Sequence, residues 1–344
     1  MSEQQKRTEI GEIGEFGLID QISSKFKNTN SSTLKGIGDD AAVFGTGDTL
    51  QLLSTDMLLE GVHFDLSYMP LQHLGYKAVS VNVSDIAAMN GIPKQITVSL
   101  GLSNRFSVEA VEELYKGIQF ACEDYSVDLV GGDTTSSPSG LVISISVIGE
   151  VQKEKVVYRS NAEENDIICV TGDLGGAFLG LQILEREKAV FRENPEMQPD
   201  LEKYDYIVKR QLKPSARMDV IHELEDLKLI PTSMIDISDG LASELFHIAK
   251  NSAVGVTIYE DKLPISKMAY DTAVEFNMDP MTCALNGGED YELLFTISQN
   301  DFEKIKNHAD IATIGYIDKK ANGLKMVTKN NNTVALQAQG WKHF

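Results

Sequence analysis

Apolar and polar positions follow two periods along this chain, and the periods alternate. Residues 49–55 (TLQLLST) read as a strand that ends at Asp56. Residues 94–100 alternate, with Ile96, Val98 and Leu100 on one side, as a half-buried strand does. Between them, Leu74 to Met89 has a helical period and is stopped by Asn90-Gly91, with Pro93 just beyond. Positions 78, 81, 82, 85, 88 and 89 share one face of that helix. Asp85 therefore lies on a largely apolar side, where a carboxylate without a partner is costly. Ser107 is placed as a helix cap, with Glu109, Glu112 and Glu113 in the first turns. Val108, Val111, Tyr115, Ile118 and Cys122 form the buried stripe of the helix that follows. Val127 to Val130 reads as a short strand delivering Gly131-Gly132-Asp133, and Leu141 to Ile148 as another.

Residues 150–165 are polar and charge-rich, and the pattern then restarts. Ile167 to Thr171 is a strand running into Thr171-Gly172-Asp173-Leu174-Gly175-Gly176 and a helix through Leu184. Residues 185–205 are charged and carry two prolines, so a mobile excursion or irregular helical insert is expected there. Strands follow at 234–237, 255–259, 292–297 and 311–317, with a helix over 241–250. Interleaved strands and helices predict an α/β protein with mixed sheets. The boundary predicts two domains, residues 1–152 and 153–344.

Composition narrows the chemistry. Among 344 residues, 51 acids face 31 bases, a formal charge of −20. A surface so acidic repels nucleic acid and anionic lipid, and an anionic substrate needs divalent cations to approach it. The start of the chain reads as polar then amphipathic, with no secretory leader, and no apolar run approaches the ~20 residues of a membrane span. The cysteines, Cys122, Cys169 and Cys283, are far apart and lie in apolar runs, as reduced thiols of a cytoplasmic protein do.

The acids of interest sit in knots flanked by glycine or hydroxyl residues. These are Gly38-Asp39-Asp40, Ser54-Thr55-Asp56, Ser84-Asp85, Gly131-Gly132-Asp133, Asp236-Ile237-Ser238-Asp239-Gly240 and Gly287-Gly288-Glu289-Asp290. Each alone is an ordinary turn or cap. Together they offer oxygen ligands, which suit Mg²⁺, and no thiolate or imidazole set, which a softer metal needs. The lysine-bearing phosphate loop Gly-x-x-x-x-Gly-Lys-Ser/Thr is absent. The glycine turn at 172–176 opens a helix whose amides could bind phosphate, although glycine is also the ordinary solution for a tight strand-to-helix reversal. His63 has no metal-spaced partner, and Arg159 reads first as a surface charge. Trp341, the one tryptophan, is either a terminal staple on the core or a lid over a flat ring.

Taken in order, the segments GIGDDAAV, STDMLLEGVHF, YKAVSVNVSDIAAMNGIP, VGGDTT, TGDLG, DISDGL, GGEDYELLF and GWKHF resemble the thiamine-monophosphate kinase family from about Glu15 to Phe344. The resemblance implies the two-domain fold of the aminoimidazole-ribonucleotide synthetase superfamily and a homodimer joined through N-terminal strands. It implies transfer of the ATP γ-phosphate to thiamine monophosphate, giving thiamine diphosphate, with several Mg²⁺ ions bridging the two substrates. Metal contacts then fall on Asp40, Asp56, Asp85, Asp133, Asp236 and Asp239, with Ser54 and Thr55 adding hydroxyl or backbone oxygens. ATP contacts fall on Tyr115, Gly132, Asp133, Arg159 and Ser238. Thiamine monophosphate contacts fall on His63, Glu289 and Trp341. Asp85, Asp133 and Arg159 carry the catalytic roles. Two other readings stay open: a synthetase of the same superfamily, and an acidic Ca²⁺-binding module. The second expects acids crowded in one twelve-residue loop, which this chain lacks.

Overall fold

The computed structural model describes residues 9–338. A first sheet is built from β1 (Thr33–Lys35), β2 (Ala42–Phe44), β3 (Thr49–Leu59), β4 (Ile92–Leu102), β5 (Asp128–Ser136) and β6 (Leu141–Gln152), in the order β1-β2-β3-β6-β4-β5. Among its described strands only β4 and β5 pair in parallel. A second sheet holds β7 (Ile167–Thr171), β8 (Ser233–Asp236), β9 (Gly255–Tyr259), β10 (Leu293–Ile297), β11 (Ile311–Asp318), β12 (Leu324–Val327) and β13 (Thr333–Ala335), ordered β13-β12-β9-β11-β7-β10-β8. The expected mixed α/β architecture is present.

Burial explains the two strand patterns. In β6, Leu141, Ile143, Ile145 and Val147 are buried while the residues between them keep some access, so one face of the first sheet meets the core. β7 and β10 are buried almost throughout, because the second sheet is covered on both faces. Cys169 and Phe295 join one apolar cluster, which also contains the core of the first sheet. Ile168, Val170 and Leu294 join the other.

Helices α1 (Ile10–Ser23), α2 (Leu71–Ala88), α3 (Val108–Tyr125), α4 (Gly176–Glu193), α5 (Asp205–Leu212), α6 (Met218–Asp226) and α7 (Leu241–Ser252) complete the frame around the site. α2 lies at the centre. From Leu74 to Met89 every residue is buried except Asp85, which keeps partial access. Its polar side chains are engaged: Ser80 accepts from the Ala216 N–H at 2.9 Å, and Asn82 donates to the Ala78 carbonyl at 2.9 Å. α2 and α3 touch backbone to backbone where glycines permit it. A Cβ on Gly75 would lie 2.1 Å from the Leu114 carbonyl oxygen, and one on Gly117 1.9 Å from that of Gln72.

Several boundaries differ from the sequence expectation. β3 continues to Leu59, so Ser54, Thr55 and Asp56 are mid-strand, opposite Val147, Ser146 and Ile145. β5 does not end before its glycines; Gly131, Gly132 and Asp133 pair with Thr97, Val98 and Ser99. Backbone pairing to β4 outlasts the apolar pattern there. Gly132 is required by the close approach, since a Cβ would sit 1.9 Å from the Val98 carbonyl oxygen. α4 runs beyond Leu184 to Glu193, so the first part of the expected excursion is regular helix. Past Leu184 that helix is mostly charged and solvated, so it carries little apolar period to mark it.

Gly117→Ala is expected to lower stability by about 1–3 kcal/mol through overpacking of α3 on α2. A thermal unfolding midpoint equal to that of the parent protein would show that the helices separate without cost.

Candidate active site

Three carboxylates converge from distant parts of the chain. Asp40 follows the glycine turn before β2, Asp85 rises from α2, and Asp236 ends β8. Each offers an oxygen, and these atoms lie within 4.8 Å of one another. Two ligands on opposite sides of a Mg²⁺ ion with bonds of about 2.1 Å stand about 4.2 Å apart, so the spacing and the all-oxygen donor set fit that ion.

Each carboxylate is aimed by a neighbour. Ser54 Oγ, on the site-facing side of β3, donates to Asp85 Oδ2. Ser84 Oγ donates to Asp236 Oδ2 at 2.6 Å, joining α2 to the second sheet. Arg159 grips Asp40 with two donors, Nε at 3.0 Å and Nη2 at 2.7 Å. The Arg159 backbone N–H also donates to Asp39 Oδ1 at 3.0 Å. Arg159 is thus half-buried and fork-paired, not the loose surface charge its sequence context indicates.

This crowding disfavours charge. Burial raises the Asp85 carboxyl well above the ordinary range, and the nearby Asp56, Asp236 and Asp40 raise it further. Burial, then Asp40, pushes Asp236 up to about 8. Burial pushes Asp56 up to about 6. Burial works against the charge of Arg159, but Asp40 outweighs it and the guanidinium stays above its usual value. One arginine among these acids leaves an excess of negative charge for a cation to satisfy.

The remaining sequence candidates fall in distinct places. Asp56 is half-buried on the same face of β3 as Ser54, and its backbone N–H donates to Asn82 Oδ1 at 3.0 Å. The Thr55 side chain points to the other face by the strand period, where its hydroxyl donates to the Ile145 carbonyl at 3.0 Å. That hydroxyl is engaged with β6 and is directed away from the cluster. Ser238 and Asp239 are half-buried in the turn between β8 and α7. The Asp239 N–H donates to Glu244 Oε1 at 3.1 Å. Glu289 lies alongside, its N–H donating to the Ser238 carbonyl at 2.6 Å, which ties the Glu289 loop to that turn. His63, half-buried after β3, accepts the Leu59 N–H on Nδ1 at 3.0 Å. Gly132 and Asp133 lie on β5, which is exposed along its whole length, and Asp133 accepts the N–H of its own neighbour Thr134 at 2.9 Å. Asp133 is not among the three converging carboxylates. Tyr115 is half-buried on α3, where burial raises its hydroxyl pKa. Trp341 lies outside the described residues.

The glycine turn before α4 already holds an anion of the protein itself. Asp290 accepts the N–H groups of Gly175 at 2.8 Å and Ala177 at 3.3 Å. The turn is thus a structural tie to the Gly-Gly-Glu-Asp segment, the second of the two readings its sequence allows. Sequence reasoning missed Asn82, Glu244 and Tyr291. Glu244 is buried on the first turn of α7, and burial, then Asp239 and Asp236, holds its carboxyl well above the usual range. Tyr291 is raised by burial and then by Glu289, Asp56, Asp236 and Asp85, which sets it beside the cluster. The signal available for these residues is their position beside the acidic knots.

Residues 38–151 match the family described as AIR synthase related protein, N-terminal domain. The thiamine-monophosphate kinase of Bacillus subtilis (strain 168) is 36% identical, over 96% of this chain and 100% of that protein. That of Aquifex aeolicus (strain VF5) is 37% identical, over 97% of this chain and 99% of that protein. A solved structure described as AaThiL complexed with AMPPCP and TMP matches with a TM-score of 0.84 at 34% identity, covering 98% of this chain and 99% of that one. Similarity that runs end to end, together with the converging carboxylates, identifies the chain as a member of the thiamine-monophosphate kinase family.

Proposed function

We propose that this protein transfers the γ-phosphate of ATP to thiamine monophosphate, giving thiamine diphosphate and ADP, with Mg²⁺ held by Asp40, Asp85 and Asp236. The observation that carries this reading is the cluster of three carboxylates in a chain similar over its length to kinases of that name. Bound Mg²⁺ supplies the positive charge that lets two phosphate-bearing substrates approach each other. Asp56 and Asp239 flank the cluster, and the backbone oxygen of Thr55 is a further ligand. Ser54 and Ser84 keep the carboxylates aimed, and Arg159 holds Asp40 while adding a permanent cation. The acceptor is a phosphate oxygen already ionised near neutral pH, so the chain need not supply a strong general base. Ser238, Tyr115, Gly132 and Asp133 are assigned to ATP, and His63, Glu289 and Trp341 to thiamine monophosphate.

Two separate sheets support the division into domains 1–152 and 153–344. The proposed homodimer is supported by β5, an edge strand exposed throughout that carries Leu129 and Val130. A second copy covering this edge would also cover Asp133. Free Cys122, Cys169 and Cys283 fit a cytoplasmic setting, and no helix among the described residues is long and apolar enough to cross a membrane.

Incubation with Mg·ATP and thiamine monophosphate is expected to yield thiamine diphosphate and ADP in equal amounts; product from free thiamine instead would overturn the substrate assignment. Asp85→Asn should lower kcat by about 10²-fold or more with the fold retained, and near-parental activity at saturating Mg²⁺ would contradict a shared cation site. Without divalent cations, Asp236 and Asp56 hold protons in the folded state that they have lost when unfolded, so stability falls as pH rises from about 4 to about 8. The unfolding midpoint should follow that slope, and Mg²⁺ should recover most of the loss at pH 8. A midpoint that rises over the same range would contradict the assigned shifts.

A further inference from the structure

Lys77 is the one cation within the buried stretch of α2, and it is 0% exposed. Its Nζ lies 2.9 Å from Glu289 Oε1 and donates to the Gln211 carbonyl at 3.4 Å. Gln211, from α5, donates its Nε2 to the other Glu289 oxygen at 2.7 Å. Both oxygens of one carboxylate are therefore held, from two helices. In this orientation the buried Gln211 Oε1 has no partner among the described residues, so the amide gives up one bond to donate to Glu289. Glu289 itself has a positive φ of 58°, a conformation that costs a non-glycine residue energy and needs support from its surroundings.

The burial of the pair is uneven. Lys77 is wholly enclosed, whereas the Glu289 side chain keeps 29% of its surface. Enclosing an ammonium is expensive, and a pair of apolar side chains of similar volume would fill the space at no greater cost. The arrangement is a poor way to stabilise α2 and a good way to fix a carboxylate that faces the site. We infer that Lys77, with Gln211, is a positioning residue that sets the Glu289 carboxylate for thiamine monophosphate. The same helix thereby orders both halves of the site: Ser84 aims Asp236, and Lys77, two turns earlier, aims Glu289. This inference rests on the assignment of Glu289 to that substrate.

The test compares Lys77→Met, Glu289→Gln and the double variant in steady-state kinetics with each substrate varied. Lys77→Met is expected to raise KM for thiamine monophosphate about tenfold, with KM for ATP within about twofold. The double variant should be no worse than Glu289→Gln alone, because both changes remove one interaction. Lys77→Arg should restore part of the loss. If Glu289→Gln raises KM for thiamine monophosphate and folded Lys77→Met does not, the positioning role is wrong while the assignment of Glu289 stands. If Glu289→Gln leaves that KM unchanged, the assignment itself fails and the inference with it. Should Lys77→Met not fold, Gln211→Leu decides: a selective rise in the same KM supports the inference, and an unchanged KM overturns it.

Discussion

Repulsion among Asp40, Asp85 and Asp236 is the constraint around which this structure is arranged. Three acids from distant segments bring their oxygens within 4.8 Å of one another, and Arg159 pairs with Asp40 alone of the three. Such a group is stable in charged form only when a cation joins it. The fold supplies the rigidity this needs. β3, α2 and β8 are all held by core packing, and Ser54 and Ser84 lock two of the carboxylates in place.

α2 is the element through which the two sheets act together. Its apolar residues belong to the cluster that spans both sheets, and its polar residues reach in every direction: Asn82 to β3, Ser84 to β8, Lys77 to the Glu289 loop, Ser80 to the segment before α6. A helix buried so completely can open at one position without losing its seat, and that position is Asp85. Asp290 adds a second tie, closing the amides of α4 and fixing the loop in which Glu289 stands.

Much of this is legible in the chain, for particular reasons. The helical face of 78, 81, 82, 85 and 88 marks Asp85 as an inward acid, and the acidic knots mark the rest of the cluster. That the Thr55 hydroxyl turns to β6 is not legible, because β3 runs past Asp56 and strand period then sends adjacent side chains to opposite faces. The full length of β5 is hidden for a related reason: its pairing with β4 persists where the apolar pattern stops. Lys77 and Gln211 carry no sequence signal, since their partner Glu289 is far away in the chain and only the tertiary fold brings the three together.

The central claim is that a cation replaces protons at this cluster. Calorimetric titration of Mg²⁺ into the protein at pH 7, repeated in buffers of different ionisation enthalpy, counts those protons directly. With Asp236 pushed up to about 8, binding should release protons, and Asp236→Asn should reduce the release. Mg²⁺ binding with no proton release would contradict the account.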